Sequence, residues 1–125
     1  MRYSLLLTAP EAKDVEISPE SMAEFQTLFQ NYGADLESAG VLISADILQP
    51  SEVTTTVSVR DGSVQVQDGP FADTREKLAG AFVVEVPDLD AAISWAAKCP
   101  GAQYGWVEVR PAELVFSEGS WHQAK

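Results

Sequence analysis

Two runs of alternating residues meet at Asp61-Gly62. Before it, Val53, Thr55, Val57 and Val59 alternate with Thr54, Thr56, Ser58 and Arg60; after it, Val64 and Val66 alternate with Ser63, Gln65 and Gln67. Period-two alternation marks a strand with one apolar face. A two-residue Asp-Gly link is the hairpin connection whose central residues both need positive φ, which matches the twist of paired strands. The spacing therefore predicts a β-hairpin in the middle of the chain, and whatever flanks it must be compatible with antiparallel β structure.

The flanks supply two strand-helix units. Arg2 to Thr8 sets Tyr3, Leu5 and Leu7 against Arg2, Ser4 and Leu6, a strand apolar on at least one face. Ala9 to Ile17, with Pro10 and three acids, reads as a loop. Ser18 then offers an N-cap hydroxyl, Pro19 suits the first helical position, and Glu20 sits where the helix dipole favours negative charge. Met22, Phe25, Phe29, Tyr32 and Leu36 recur at spacings of three and four, one stripe that Gly40 can end. Val41 to Leu48 is apolar on both alternating sets, which predicts a strand covered on two sides.

Beyond the hairpin, Ala79 to Val86 reads as a strand. Pro87-Asp88 starts a second helix with an expected buried stripe of Leu89, Ala92, Ile93, Ala96 and Ala97, and Lys98 complements its C-terminal dipole. Tyr104 to Arg110 is a last strand, with Tyr104, Trp106, Glu108 and Arg110 on one face and Val107 and Val109 on the other. The sum is an α+β domain, a ferredoxin-like βαββαβ plan with an inserted β-hairpin. Residues 1–116 are expected to form the domain and 117–125 a C-terminal tail. Both helices would lie on one sheet face, leaving the other uncovered.

Composition narrows the functions. A domain of 125 residues buries about two-thirds of its unfolded surface, enough for a core of its own. Nineteen acidic against eight basic residues, a net charge of −11, repel a polyphosphate or an anionic bilayer, so neither nucleic acid nor membrane is an expected partner. The one cysteine, Cys99, permits no internal disulfide, and the N-terminal apolar stretch is too short for a secretion signal, so the expected location is cytoplasmic. No H-x-x-x-H, C-x-x-C, G-x-G-x-x-G or phosphate-loop pattern occurs; no metal and no cofactor is expected.

The stretch DGPFADTREKLAGAFVVEVPDLDAAISWAAKCP at 68–100, followed by YGWVEVRP at 104–111, resembles the YCII-related family in its longer DGPF branch. MRYSLLL at the N-terminus, the helix after Ser18-Pro19 and AGVLISADILQP ending at Pro50 extend the likeness over nearly the whole chain. The resemblance implies a ferredoxin-like subunit that pairs with a copy of itself into a dimeric α/β barrel. Most members of the family are uncharacterised, and one relative dehydrochlorinates a chlorinated hydroxyquinone. DGPF members are often encoded beside extracytoplasmic-function sigma factors. Short members carry a histidine in the first helix with a nearby aspartate, proposed as a catalytic pair; here Pro19 to Ala39 contains no histidine, so that pair does not carry over.

Candidate site residues come from two places. Asp68-Gly69-Pro70-Phe71 is either a tight turn, with Phe71 plugging the core, or a loop that aims Asp68 into a pocket as a base or acceptor. The open-face set Tyr104, Trp106, Glu108 and Arg110, joined by Glu85 if Phe82, Val84 and Val86 face the helices, is either ordinary surface charge or the lining of a wet cavity. In the second case Asp68 or Glu108 is the catalytic base, and Arg110, Trp106, Phe71 and Glu85 bind a small organic molecule, with lyase-like chemistry. The alternative is a non-catalytic partner or sensor of a sigma factor or other transcription-associated protein. Asp46, Cys99 and His122, the sole histidine, are expected to be an edge acid, a packed thiol and a tail residue.

Overall fold

A computed structural model describes residues 1–11 and 17–124. Four strands form the main sheet: β1 (Arg2–Pro10), β2 (Leu42–Ile47), β5 (Glu76–Glu85) and β6 (Trp106–Pro111). Their order is β2-β5-β1-β6 and every neighbouring pair is antiparallel, which is compatible with a ferredoxin-like plan. Helices α1 (Pro19–Ser38) and α2 (Leu89–Lys98) are the connections from β1 to β2 and from β5 to β6. Between β2 and β5 the chain runs out into a separate two-stranded sheet, β3 (Thr55–Arg60) with β4 (Ser63–Asp68). Its Asp61 and Gly62 have φ of 51° and 78°, the pair of positive values that a two-residue hairpin needs.

The first helix begins and ends as its sequence directs. The Ser21 N–H donates to Ser18 Oγ at 3.1 Å, satisfying one of the donors that a helix start leaves free. At the other end the Gly40 N–H donates to the Glu37 carbonyl and the Val41 N–H to the Leu36 carbonyl, the two bonds of a Schellman motif. Tyr32 and Leu36 are buried, Phe25 and Phe29 half-buried and Met22 exposed, so the stripe sinks into the core toward the helix C-terminus.

Tyr3, Leu5, Phe82, Val84 and Val86 form the sheet side of the core, against Tyr32, Leu36, Ala92, Ala96 and Cys99. Aromatic rings join the layers: Phe82 meets Tyr32 edge-on at 5.3 Å, and the Tyr32 hydroxyl donates to the Trp95 carbonyl at 2.8 Å. At the far end of β1, the Ser51 N–H and hydroxyl both donate to the Glu11 carboxylate, tying the short 3-10 turn Ser51–Val53 to the sheet end.

Several expectations are corrected. The strand expected to be covered on two sides is an edge strand: β2 pairs only with β5, and Ile43, Ile47 and Leu48 are exposed. The second helix buries Ala92 and Ala96 and half-buries Ala91 and Trp95, while Leu89 and Ile93 are exposed. The Trp95 indole turns toward the core, its ring 6.5 Å from that of Tyr32, whose hydroxyl donates to the Trp95 backbone carbonyl. β1 reaches Pro10, overlapping the expected loop, whose residues 12–16 lie outside the described residues. Leu114–Ser117 (β7) and Ser120–Gln123 (β8) pair as a further hairpin, so most of the expected tail, including His122, is strand.

Candidate functional site

Register places every open-face side chain, because residues directly opposite in an antiparallel pair point to the same side. Tyr3, Leu5, Leu7 and Ala9 are buried beneath the helices, which leaves Arg2, Ser4, Leu6 and Thr8 on the other face of β1. Opposite them on β6 stand Arg110 across from Ser4, Glu108 across from Leu6 and Trp106 across from Thr8. On the β5 side, Glu85 is across from Arg2, Val83 from Ser4 and Ala81 from Leu6, and β2 brings Asp46 beside Ala81. Trp106, Glu108, Arg110 and Glu85 therefore share one face, with Trp106 70% exposed. Tyr104 does not join them: it precedes β6 and meets Phe25 of α1 edge-on at 5.0 Å.

The same register separates groups that were expected to act together. Glu108 and Glu85 differ by four residues along β1 and stand on the two strands that flank it. Four residues span roughly 14 Å, so Glu85 cannot act on Glu108 within one subunit. Glu85 is also already paired, its Oε2 lying 2.6 Å from the N-terminal ammonium of Met1. Asp46 and Glu108 occupy one row across all four strands, again roughly 14 Å apart at ordinary strand spacing.

Asp68 closes β4, opposite Thr55, and is exposed. Gly69 follows at φ 97°; its N–H donates to the Thr54 carbonyl and its own carbonyl accepts from Thr56 Oγ1. Phe71 is 91% exposed, so it does not plug the subunit's core. The loop returns through the Lys77–Asp73 ion pair at 3.0 Å to the start of β5, where Glu76 lies opposite Pro10. That is the Trp106 end of the sheet, since Trp106 lies opposite Thr8, while Arg110 stands four residues away along β6.

Arg110 and Glu108 are exposed, and neither has an ion pair or side-chain hydrogen bond among the described residues. Sequence reasoning missed Arg2, which shares the Arg110 face and stands diagonal to it, roughly 7–8 Å away at the backbone. Its signal was the period-two alternation of β1, which puts Arg2 on the side opposite Tyr3 and Leu5. Cys99 is fully buried and its thiol is pushed up by that burial, partly offset by the backbone bonds of Gly101 and Ala102; this is a packed thiol, not a nucleophile. Among the described residues no helix is long and apolar enough to cross a membrane.

A family model for the YCII-related domain matches residues 1–114. The chain belongs to the YCII-related family. It is also 36% identical over 78 residues to an uncharacterized protein of Rhizobium meliloti (strain 1021). That alignment covers 61% of this chain and 63% of the relative, less than two thirds of its length. The YCII-related match spans both helices, all of the main sheet and the β3–β4 hairpin, and it ends at the first residue of β7.

Proposed function

We propose that this YCII-related chain is of the DGPF branch, on its Asp68-Gly69-Pro70-Phe71 turn, and acts as a cytoplasmic homodimer. In that dimer a second copy covers the open sheet face as a dimeric α/β barrel, and the covered face binds a small organic anion. One observation carries the reading: Arg110 stands on the uncovered face with no side-chain acceptor among the described residues, in a chain whose acids outnumber its bases nineteen to eight. A guanidinium enclosed at an interface needs a partner, because an unpaired buried charge costs several kcal/mol. Its planar fork suits a carboxylate or phenolate.

Glu108, two residues along the strand, is the carboxylate on this face next to Arg110 and able to take a proton, and Trp106, two residues further, is its apolar wall. A carboxylate at that position suits lyase-like proton abstraction. Asp68 and Phe71, at the Trp106 end, are the groups of the DGPF turn that would close that end of the site.

Titration with aryl and alkyl carboxylates, followed by calorimetry, tests this. Arg110→Ala is expected to weaken binding about 10- to 100-fold, the loss of about 1.5–3 kcal/mol for a hydrogen bond to a charged group. Glu108→Gln should leave binding nearly unchanged while abolishing any turnover, whereas Asp68→Asn should act on both only weakly. Wild-type protein that binds no carboxylate at millimolar concentration would overturn the reading.

A further inference from the structure

A cavity of about 220 Å³ lies between the edge of the open sheet face and the C-terminal hairpin, lined by Arg2, Glu85, Val115, Gln123 and Ala124. It has room for about seven waters at their liquid volume and is smaller than the pockets that take drug-sized ligands. Arg2 Nε is buried and makes no hydrogen bond, the sole such side-chain nitrogen or oxygen among the described residues. Buried donors are nearly always satisfied, so this guanidinium is one partner short; water does not reach Nε, and the donors that Arg2 can offer to the cavity are its terminal NH2 groups. The obvious internal partner is taken: Glu85, directly across from Arg2, has its carboxylate on the Met1 ammonium.

The remaining walls suit one class of occupant. The Gln123 amide has no hydrogen-bond partner of its own among the described residues and can add an N–H donor, while Val115 and Ala124 contribute methyl groups. The Ala112 N–H donates to the Arg2 carbonyl where the chain leaves the main sheet, and the Ala124 N–H donates to the Glu113 carbonyl, closing the open end of the hairpin. Glu85 in the wall disfavours a multiply charged anion, whereas a single carboxylate matches one guanidinium fork.

We propose that this cavity is a binding site for a small monocarboxylate, with Arg2 as the anion-holding residue and Gln123 as a second donor. It is formed within one subunit, at the end of the open face that also carries Arg110, one diagonal position away. Arg2 and Glu85 lie within the YCII-related match and Val115, Gln123 and Ala124 beyond residue 114, where it ends, so the site is shared between the domain and the C-terminal hairpin.

The chain has four arginines, Arg2, Arg60, Arg75 and Arg110, so their Nε–H signals can be followed one by one in nitrogen-15 NMR of the full protein. Sodium acetate and sodium benzoate are the probes, with sodium chloride and benzamide as controls. A saturable shift of Arg2 Nε–H, the Gln123 side-chain amide and the Val115 methyls is expected, with a dissociation constant on the order of 1 mM. Arg2→Gln should weaken it about tenfold or more. Val115→Phe, which fills the cavity and keeps Arg2, should abolish benzoate binding.

Arg110→Ala should change binding at Arg2 by only about two- to threefold, the effect of one unit charge roughly 8 Å away in water. Shifts confined to Arg110 and Trp106 would overturn this site while leaving the proposed function standing; shifts confined to Arg2 would do the reverse. Equal shifts with chloride, or a crystal in which a carboxylate of a second copy sits on Arg2, would also overturn it.

Discussion

Gly105 packs against β1 so closely that a β-carbon added to it would lie 2.4 Å from the Thr8 carbonyl oxygen and 2.8 Å from Ala9 Cβ. Neither neighbour is the end of a flexible chain, so the backbone itself must move. Gly105→Ala is expected to cost about 1–3 kcal/mol, read from urea unfolding, and to disturb Trp106, the next residue. A second residue-scale effect concerns pH. Burial pushes the Tyr32 and Tyr104 hydroxyls and the Cys99 thiol up, with Cys99 as a further cause for both tyrosines. Above roughly pH 8.5–10 the unfolded chain releases protons that the native state keeps, so the native state binds more protons and stability falls with rising pH. Urea midpoints should therefore drop between neutral pH and pH about 10.5, and Tyr32→Phe should flatten that fall while losing the bond to the Trp95 carbonyl.

Among elements, α1 depends most visibly on its ends. Ser18→Ala removes the acceptor for the Ser21 N–H and should cost about 1 kcal/mol in denaturant unfolding, whereas Ser18→Asp should retain most of the stability. The β3–β4 hairpin shows how far local pattern reaches. Its strands, turn and register were legible in the alternation around Asp61-Gly62, down to Val57 opposite Val66 and Val59 opposite Val64. Where it sits was not: it forms its own sheet, with all four valines exposed. β2 shows the converse. Its apolar residues on both alternating sets read as a strand covered twice, yet its one neighbour is β5, because sheet order is set by how the crossovers pack and not by the strand's own composition.

For the whole molecule, besides Met22 and Leu28 of α1, Leu89 and Ile93 of α2 and Leu78 of β5, four groups of large apolar side chains are exposed on strands. They are the valine face of the β3–β4 hairpin, Ile43 and Ile47 of β2, Trp106 of β6, and Leu114, Phe116 and Trp121 of the C-terminal hairpin. Contiguous apolar surface on this scale marks an interaction site. The proposed homodimer should bury well over 1,000 Å² in total, as specific interfaces do, and light scattering at micromolar concentration should give twice the mass of one chain. A monomer under those conditions would overturn the dimer. A charged replacement such as Val57→Lys or Val66→Glu, made at an exposed position, should then weaken assembly while leaving the helical signal intact.

The sequence by itself determined both helices, the four strands of the main sheet, the capping of α1, the hairpin at Asp61-Gly62 and the alternation that sends Trp106, Glu108 and Arg110 to one face. Those features depend on φ preferences and on periodicities of two and 3.6, which act between residues close in the chain. Only the tertiary structure decided that Arg2 stands beside Arg110, that Glu85 is spent on the N-terminus and far from Glu108, and that Trp95 displaces Leu89 and Ile93 from the core. The C-terminal hairpin that walls a cavity over Arg2 was likewise its contribution. Each of these is a contact between strands or layers distant in sequence, and its existence turns on sheet order and register, which no single segment encodes.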